Sequence, residues 1–236
     1  AKAKPLLNVI KQNKAFLRGF ELIVAAPFVY LERLAKEKGI RVSAQDCFWE
    51  KQGPFTGEVS PLMIRDAGAS FVMVGHSERR RLFGENELMA NKKMRAALSS
   101  GLNVFLFFGE KKRRSLIESK KEIIRQLELI LTGMAKKDLP ETFFVYEPAF
   151  AVSTQGGWVL SPVEVRQKIL FIKKYLSLKF GLKDGEKARI LYGGSVDGKK
   201  AKEYLGISEL DGLVIGQASL RVVQIKLLTK NLISVK

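Results

Sequence analysis

The chain reads as an α/β protein built on a parallel sheet covered by helices, and three observations predict this. Short apolar runs recur through its 236 residues, each followed by a segment with apolar side chains at helical spacing. The runs are apolar almost throughout, as strands buried on both faces are, and that is the habit of parallel rather than antiparallel sheets. Nearly every run then ends in Gly, Pro or a polar group followed by a loop. A (β/α)8 barrel and an open doubly wound sheet share the alternation. The loop-terminated strand ends favour the barrel, which gathers them on one face. No long polar or Pro/Gly-rich segment divides the chain, and 46% hydrophobic residues can fill a sizeable core. Residues 1–236 are therefore expected to form one domain.

In order, residues 1–20 are Lys-rich and weakly periodic, which suggests a short helix. Residues 22–26 form the first strand candidate, closed by Pro27, and 30–38 are helical up to Gly39. Residues 40–45 are the second strand. The segment 46–60, rich in Gly and aromatics, is too long for a tight connection and reads as a functional loop. Ser60-Pro61 then caps a helix over 62–67. The third strand is 71–74. A helix over 87–99 ends before Gly101, and strand 103–108 leads into Gly109-Glu110. Lys111, Lys112, Arg113 and Arg114 are expected to open the next helix, whose stripe Leu116, Ile123, Leu127, Ile130 and Leu131 stops near Gly133. Strand 142–146 ends at Glu147-Pro148. Ser161, Pro162 and Glu164 set up a capping box for a long helix studded with Lys173, Lys174 and Lys179. Strand 189–192, a short helix over 199–205, strand 212–215 and a closing helix over 217–232 complete the chain. An eighth strand is absent from this count.

Lys plus Arg exceed Asp plus Glu by 17. Such a surface attracts anionic ligands and loosely binds polyanions, but much of the excess sits on helix faces. No aromatics interleave with it as a single-strand-binding face requires, so nucleic acid is an unlikely partner. One cysteine, Cys47, excludes an intramolecular disulfide. With no long apolar run and no signal-peptide pattern, no membrane association is expected and a cytoplasmic setting is the default.

His76 is the only histidine, and it follows the 71–74 strand directly after Gly75, where parallel sheets place their ligands. A lone histidine is more often structural, so its position carries the argument. Glu147 ends another apolar strand, where partial desolvation suits a general base and capping of the strand end is the alternative. The loop 149–161, with Ser153, Thr154, Gly156 and Gly157 between Phe150 and Trp158, has the composition of a lid. Gly193-Gly194-Ser195 and Gly216-Gln217 follow the last two strands, as expected of a phosphate cradle completed by the helix starting near Gln217. No cluster has metal-ligand spacing and no dinucleotide fingerprint occurs, so neither metal nor nicotinamide cofactor is implied.

Together with Ala44-Gln45, Phe55-Thr56-Gly57-Glu58, Gly75-His76-Ser77-Glu78-Arg79-Arg80, Phe83-Gly84-Glu85, Gly109-Glu110 and Tyr146-Glu147-Pro148, the turns Tyr192-Gly193-Gly194-Ser195-Val196 and Gly216-Gln217-Ala218-Ser219-Leu220 resemble the triosephosphate isomerase family. The resemblance implies a TIM barrel, no cofactor, a homodimer, and the glycolytic and gluconeogenic interconversion of dihydroxyacetone phosphate and glyceraldehyde 3-phosphate through an enediolate. It implies Glu147 as the base, a neutral His76 polarising the carbonyl, and Glu78 supporting the charge network. Ser153, Gly194, Ser195, Gly216 and Gln217 would hold the phosphate. Pro148, Thr154, Gly156 and Tyr192 would serve as lid and latch, with Ser195 helping to hold the closed form, and Thr56 would reach a partner's site. The family's first strand ends in Asn-x-Lys, yet no apolar strand precedes Ala1-Lys2-Ala3-Lys4. The first strand is thus missing or truncated, Lys2 is the candidate for that lysine, and Lys4 is the alternative. Two further readings stay open: an impaired barrel that binds phosphorylated ligands, and a basic polyanion-binding protein.

Overall fold

The computed structural model describes residues 3–12, 19–152 and 158–232. Its elements are α1 (Ala3–Gln12), β1 (Ile23–Ala26), α2 (Leu31–Ala35), β2 (Arg41–Ala44), α3 (Pro61–Asp66), β3 (Phe71–Val74), α4 (Ser77–Phe83), α5 (Glu87–Ser99), β4 (Asn103–Phe108), α6 (Leu116–Ile130), β5 (Thr142–Tyr146), α7 (Pro162–Phe180), α8 (Leu182–Glu186), β6 (Arg189–Tyr192), α9 (Ala201–Leu205), β7 (Gly212–Leu213) and α10 (Val222–Leu232). The strands lie in one sheet, parallel and in chain order from β1 to β7. Among the described residues no strand precedes Ile23, and β1 is not paired with β7. Helix α1 packs Leu7 and Ile10 on the core and lies against α10.

Strand alternation builds two separate cores. Val72, Val74, Val104, Leu106, Phe108, Phe144, Tyr146, Ile190 and Tyr192 face outward into the helix layer, where they meet Met94, Ile123, Leu127, Ile169, Ile172 and Leu176. Phe71, Phe105, Phe107, Phe143 and Val145 point the other way and form the second cluster. Within it the Phe71 and Phe143 rings lie 5.4 Å apart although β4 runs between their strands. In a flat sheet those strands would stand about 9.5 Å apart, so this face is the concave one and the sheet curls around it. Its amino-terminal end is covered by two guanidinium groups, Arg41 at 4.6 Å from the Phe71 ring and Arg189 at 3.8 Å from Phe143.

The predicted caps form. Ser60 accepts the Met63 amide ahead of Pro61, and Ser161 and Glu164 complete a capping box. Other expectations need correction. The run Lys111–Arg114 precedes its helix, because Ser115 with Glu118 makes the capping box and the helix starts at Leu116. The closing helix is broken: Gln217–Leu220 is a 3-10 turn and α10 begins only at Val222. Helices α4 and α8 were not anticipated, and the segment before α2 tightens into a 3-10 turn over Phe28–Tyr30.

Because Phe105 fills the concave core against Phe71 and Phe143, Phe105→Ala should destabilise the fold by about 3–5 kcal/mol. Urea unfolding followed by far-UV circular dichroism would show this as a lower midpoint.

Candidate active site

Backbone hydrogen bonds continue past the strand ends. Glu147 donates its amide to Phe108 C=O (2.8 Å), Gly193 to Tyr146 C=O (3.0 Å) and Val214 to Tyr192 C=O (2.9 Å). The residues just beyond β5, β6 and β7 are thereby held side by side at one rim. Beyond β3 the chain turns at Gly75, whose φ of 78° suits glycine and where a Cβ would lie 2.8 Å from Phe107 C=O.

This turn delivers His76 to Glu147. His76 Nε2 lies 3.1 Å from Glu147 Oε1, and Glu147 Oε2 accepts the Ser77 amide at 3.1 Å. His76 also caps α4, its Nδ1 accepting the Glu78 amide at 3.3 Å. An accepting Nδ1 carries no proton, so this geometry is that of the neutral imidazole with its hydrogen on Nε2, directed at the carboxylate. The His76 side chain is 20% exposed and that of Glu147 4%. Phe107 meets the imidazole edge-on at 5.0 Å. Burial disfavours a charged His76, but the neighbouring Glu147 carboxylate, with Glu78 and Glu85 adding to it, outweighs burial and raises the imidazole pKa above its ordinary value. Glu78 thus acts on the histidine through its amide and its charge.

The turn itself is gripped from two sides. Glu85 Oε1 accepts the Gly75 amide at 2.8 Å, and Arg80 Nε donates to Gly75 C=O at 2.7 Å. The other Glu85 oxygen binds Arg79 (3.0 Å) and the buried Lys93 (2.5 Å), and these two cations also bind Asp46 at 2.9 and 2.7 Å. Burial would push both acids up. For Glu85 the pull of Lys93 and Arg79 prevails and its pKa is lowered, whereas Asp46 stays raised. The sequence reading did not single out Asp46 or Lys93. Their pairing spans 47 residues and leaves no local pattern.

A second polar group gathers around the buried Glu110. Glu110 Oε1 binds Lys168 Nζ at 2.9 Å and Tyr146 OH at 3.3 Å, and it also accepts the Ser119 hydroxyl. The Glu110 C=O accepts the Ala149 amide at 2.9 Å. Pro148 starts a 3-10 turn over Ala149–Ala151 that carries the chain away from the rim.

The two glycine turns differ from each other in the space beside them. Gly194 is bare because Tyr192 folds its hydroxyl against it, and a Cβ on Gly193 would lie 3.0 Å from Val145 and 3.4 Å from Glu147 Cβ. Protein atoms, not open space, face these two glycines. Ser195 spends both donors on one acceptor, its amide (2.9 Å) and hydroxyl (2.6 Å) reaching Ala151 C=O, so it ties down the first turn of the 149–161 loop. Tyr192 is buried against Tyr204, ring centroids 4.9 Å apart. Of the three glycines in these two turns, Gly216 is the one with nothing within 4 Å of a built Cβ. It and Gln217 are exposed, and the turn they begin returns the Ser219 amide to Gly216 C=O at 2.9 Å. Thr56 sits in the exposed loop 51–58, where Phe55 rests on Phe48 at 4.8 Å. Lys2, Ser153, Thr154 and Gly156 lie outside the described residues. Among the described residues no group of three or more His, Cys, Asp or Glu could hold a metal, and no helix is long and apolar enough to cross a membrane.

Comparison with known proteins agrees with this architecture. The sequence model of the triosephosphate isomerase family matches residues 1–232. A relative called triosephosphate isomerase in Geobacter metallireducens is 38% identical over 205 residues, 85% of this chain and 81% of that one. Another so called, from Citrifermentans bemidjiense, is 40% identical with the same coverage of 85% and 81%. The crystal structure of triosephosphate isomerase from Bartonella henselae superposes with a TM-score of 0.83 at 30% identity, covering 98% of this chain and 93% of that one.

The His76–Glu147 contact gives folding a pH dependence. Since the folded state raises the imidazole pKa, the contact's contribution is complete below 6.5, the ordinary value, and is lost as pH climbs through the elevated folded value. Glu147→Gln should therefore lower stability more at acid than at alkaline pH, as denaturation at several pH values would show.

Proposed function

The chain belongs to the triosephosphate isomerase family, and from that premise we propose that it interconverts dihydroxyacetone phosphate and glyceraldehyde 3-phosphate. The observation that carries the proposal is the 3.1 Å approach of Glu147 to His76. A carboxylate and an Nε2–H that meet across so short a gap can each turn to a small molecule placed between them. Glu147 then takes the proton from one substrate carbon and returns it to the next. The Nε2–H polarises the carbonyl and passes protons between the two oxygens. Once substrate separates the pair, the main influence raising the imidazole pKa is weakened. Burial and the Glu78 amide on Nδ1 then favour the neutral form, whose Nε2–H can donate to an oxygen.

In this reading the open face of Gly216 admits the phosphate, with Gln217, Gly194, Ser195 and Ser153 around it. Ser195 must release Ala151 to serve as a donor, so phosphate binding and movement of the 149–161 loop are one event. Pro148, Thr154, Gly156 and Tyr192 act in that movement, and Lys2 supplies a cation to the developing enediolate. Glu78 supports the charge of His76. A homodimer in the cytoplasm completes the proposal, with Thr56 reaching the partner's site. Exposed Phe55, Met63 and Phe83, on the segments that follow β2 and β3, favour burial against a second copy.

A coupled spectrophotometric assay in both directions tests this. The chain should turn over both triose phosphates, and Glu147→Gln should lower kcat by about a hundred- to ten-thousand-fold with little change in KM. A wild-type chain that binds a phosphate-bearing analogue without catalysing proton exchange would refute turnover and leave the barrel as a binding protein.

A further inference from the structure

We infer that Gln126 is a positioning residue for Glu147, acting through Gly109; the inference rests on the functional reading above. Gln126 projects from α6 and is 2% exposed. Its carboxamide makes both of its contacts with a single residue: Oε1 accepts the Gly109 amide at 3.2 Å and Nε2 donates to Gly109 C=O at 2.8 Å. Gly109 in turn lies directly against the main chain of the base. A Cβ there would run into the Glu147 carbonyl, with the carbonyl carbon at 2.6 Å and Pro148 N at 2.7 Å. On either side of Gly109, Phe108 C=O holds the Glu147 amide and Glu110 C=O holds the Ala149 amide, at 2.8 and 2.9 Å.

Residues 108–110 therefore form a seat for the Glu147–Pro148 step, and glycine is the one residue that fits its centre. Glycine is also the residue with the widest backbone freedom. Its peptide groups need an outside partner to stay in one orientation, and a carboxamide that gives and takes at once supplies it. Gln126 touches no reacting group. Its effect reaches the carboxylate by keeping the seat level, and a shift of about 1 Å at a reacting group can cost on the order of a hundredfold in rate.

The test uses the full chain and triose phosphate, with kcat, KM, thermal unfolding and pH profiles measured in parallel. Gln126→Met keeps the shape and loses both hydrogen bonds. Its kcat should fall about ten- to a hundredfold while KM stays within about twofold, since binding of the phosphate does not depend on the seat. Gln126→Glu keeps the acceptor and, when ionised, lacks the donor. Its kcat relative to wild type should recover as pH falls and the carboxyl gains a proton to donate. An unchanged kcat in Gln126→Met, a loss no larger than the loss of folded protein, or a flat pH ratio for Gln126→Glu would overturn the inference. Should wild type turn over and Glu147→Gln fail while Gln126→Met is fully active, this inference alone falls. An inactive wild type overturns the functional reading itself, and this inference with it.

Discussion

The main-chain hydrogen bonds that extend beyond the last strand residues are the constraint on which the rest of the site depends. A parallel ladder that stopped at Tyr146 and Tyr192 would leave the following residues free to splay. Instead the amides of Glu147, Gly193 and Val214 each find the carbonyl of the preceding strand. Side chains far apart in sequence are thus delivered to one rim by backbone geometry that few substitutions can alter. Glycine is required where these segments crowd, at Gly75 against Phe107 and at Gly109 against Glu147.

Charge is treated differently on the two sides of the rim. Around His76 two acids pair with the buried Lys93 and the part-exposed Arg79, so each charge has opposite partners and the Gly75 turn is held by Glu85. Breaking one member would strand the others without water, which is why such groups constrain geometry more than they add stability. A lysine, a serine and a tyrosine converge on Glu110. His76 and Glu147, each close to one of these groups in the chain, meet each other directly.

Much of this was legible in the sequence where a feature is local. Apolar runs stopped by Gly75 and Glu147-Pro148 marked strand ends, and Ser60-Pro61 and Ser161-Pro162-Val163-Glu164 marked helix starts. What was illegible is long in range or atypical in chemistry. Helix α4 reads Ser-Glu-Arg-Arg-Arg-Leu-Phe, with no apolar stripe, and its cap is an imidazole, so no usual signal announces it. Gln126 looks like one more polar residue on an amphipathic helix until Gly109 is set beside it. The basic run at Lys111 was misjudged although Ser115 and Glu118 carried the correct start three residues apart. The glycines near Ser195 also carry a packing requirement, since a Cβ on either would meet Tyr192 or Val145, and that is visible only once the strands are side by side.

The ion-pair group of buried Asp46, Glu85 and Lys93 with part-exposed Arg79 also has a thermal consequence. Hydration of charged groups becomes less favourable on warming, so the penalty for keeping these four from solvent shrinks as temperature rises. The apolar layers around Phe105 and Ile169 gain no comparable advantage. The ion pairs that support the histidine turn therefore become relatively less costly as the molecule warms, and further charge networks of the same kind are a route by which this chain would adapt to heat.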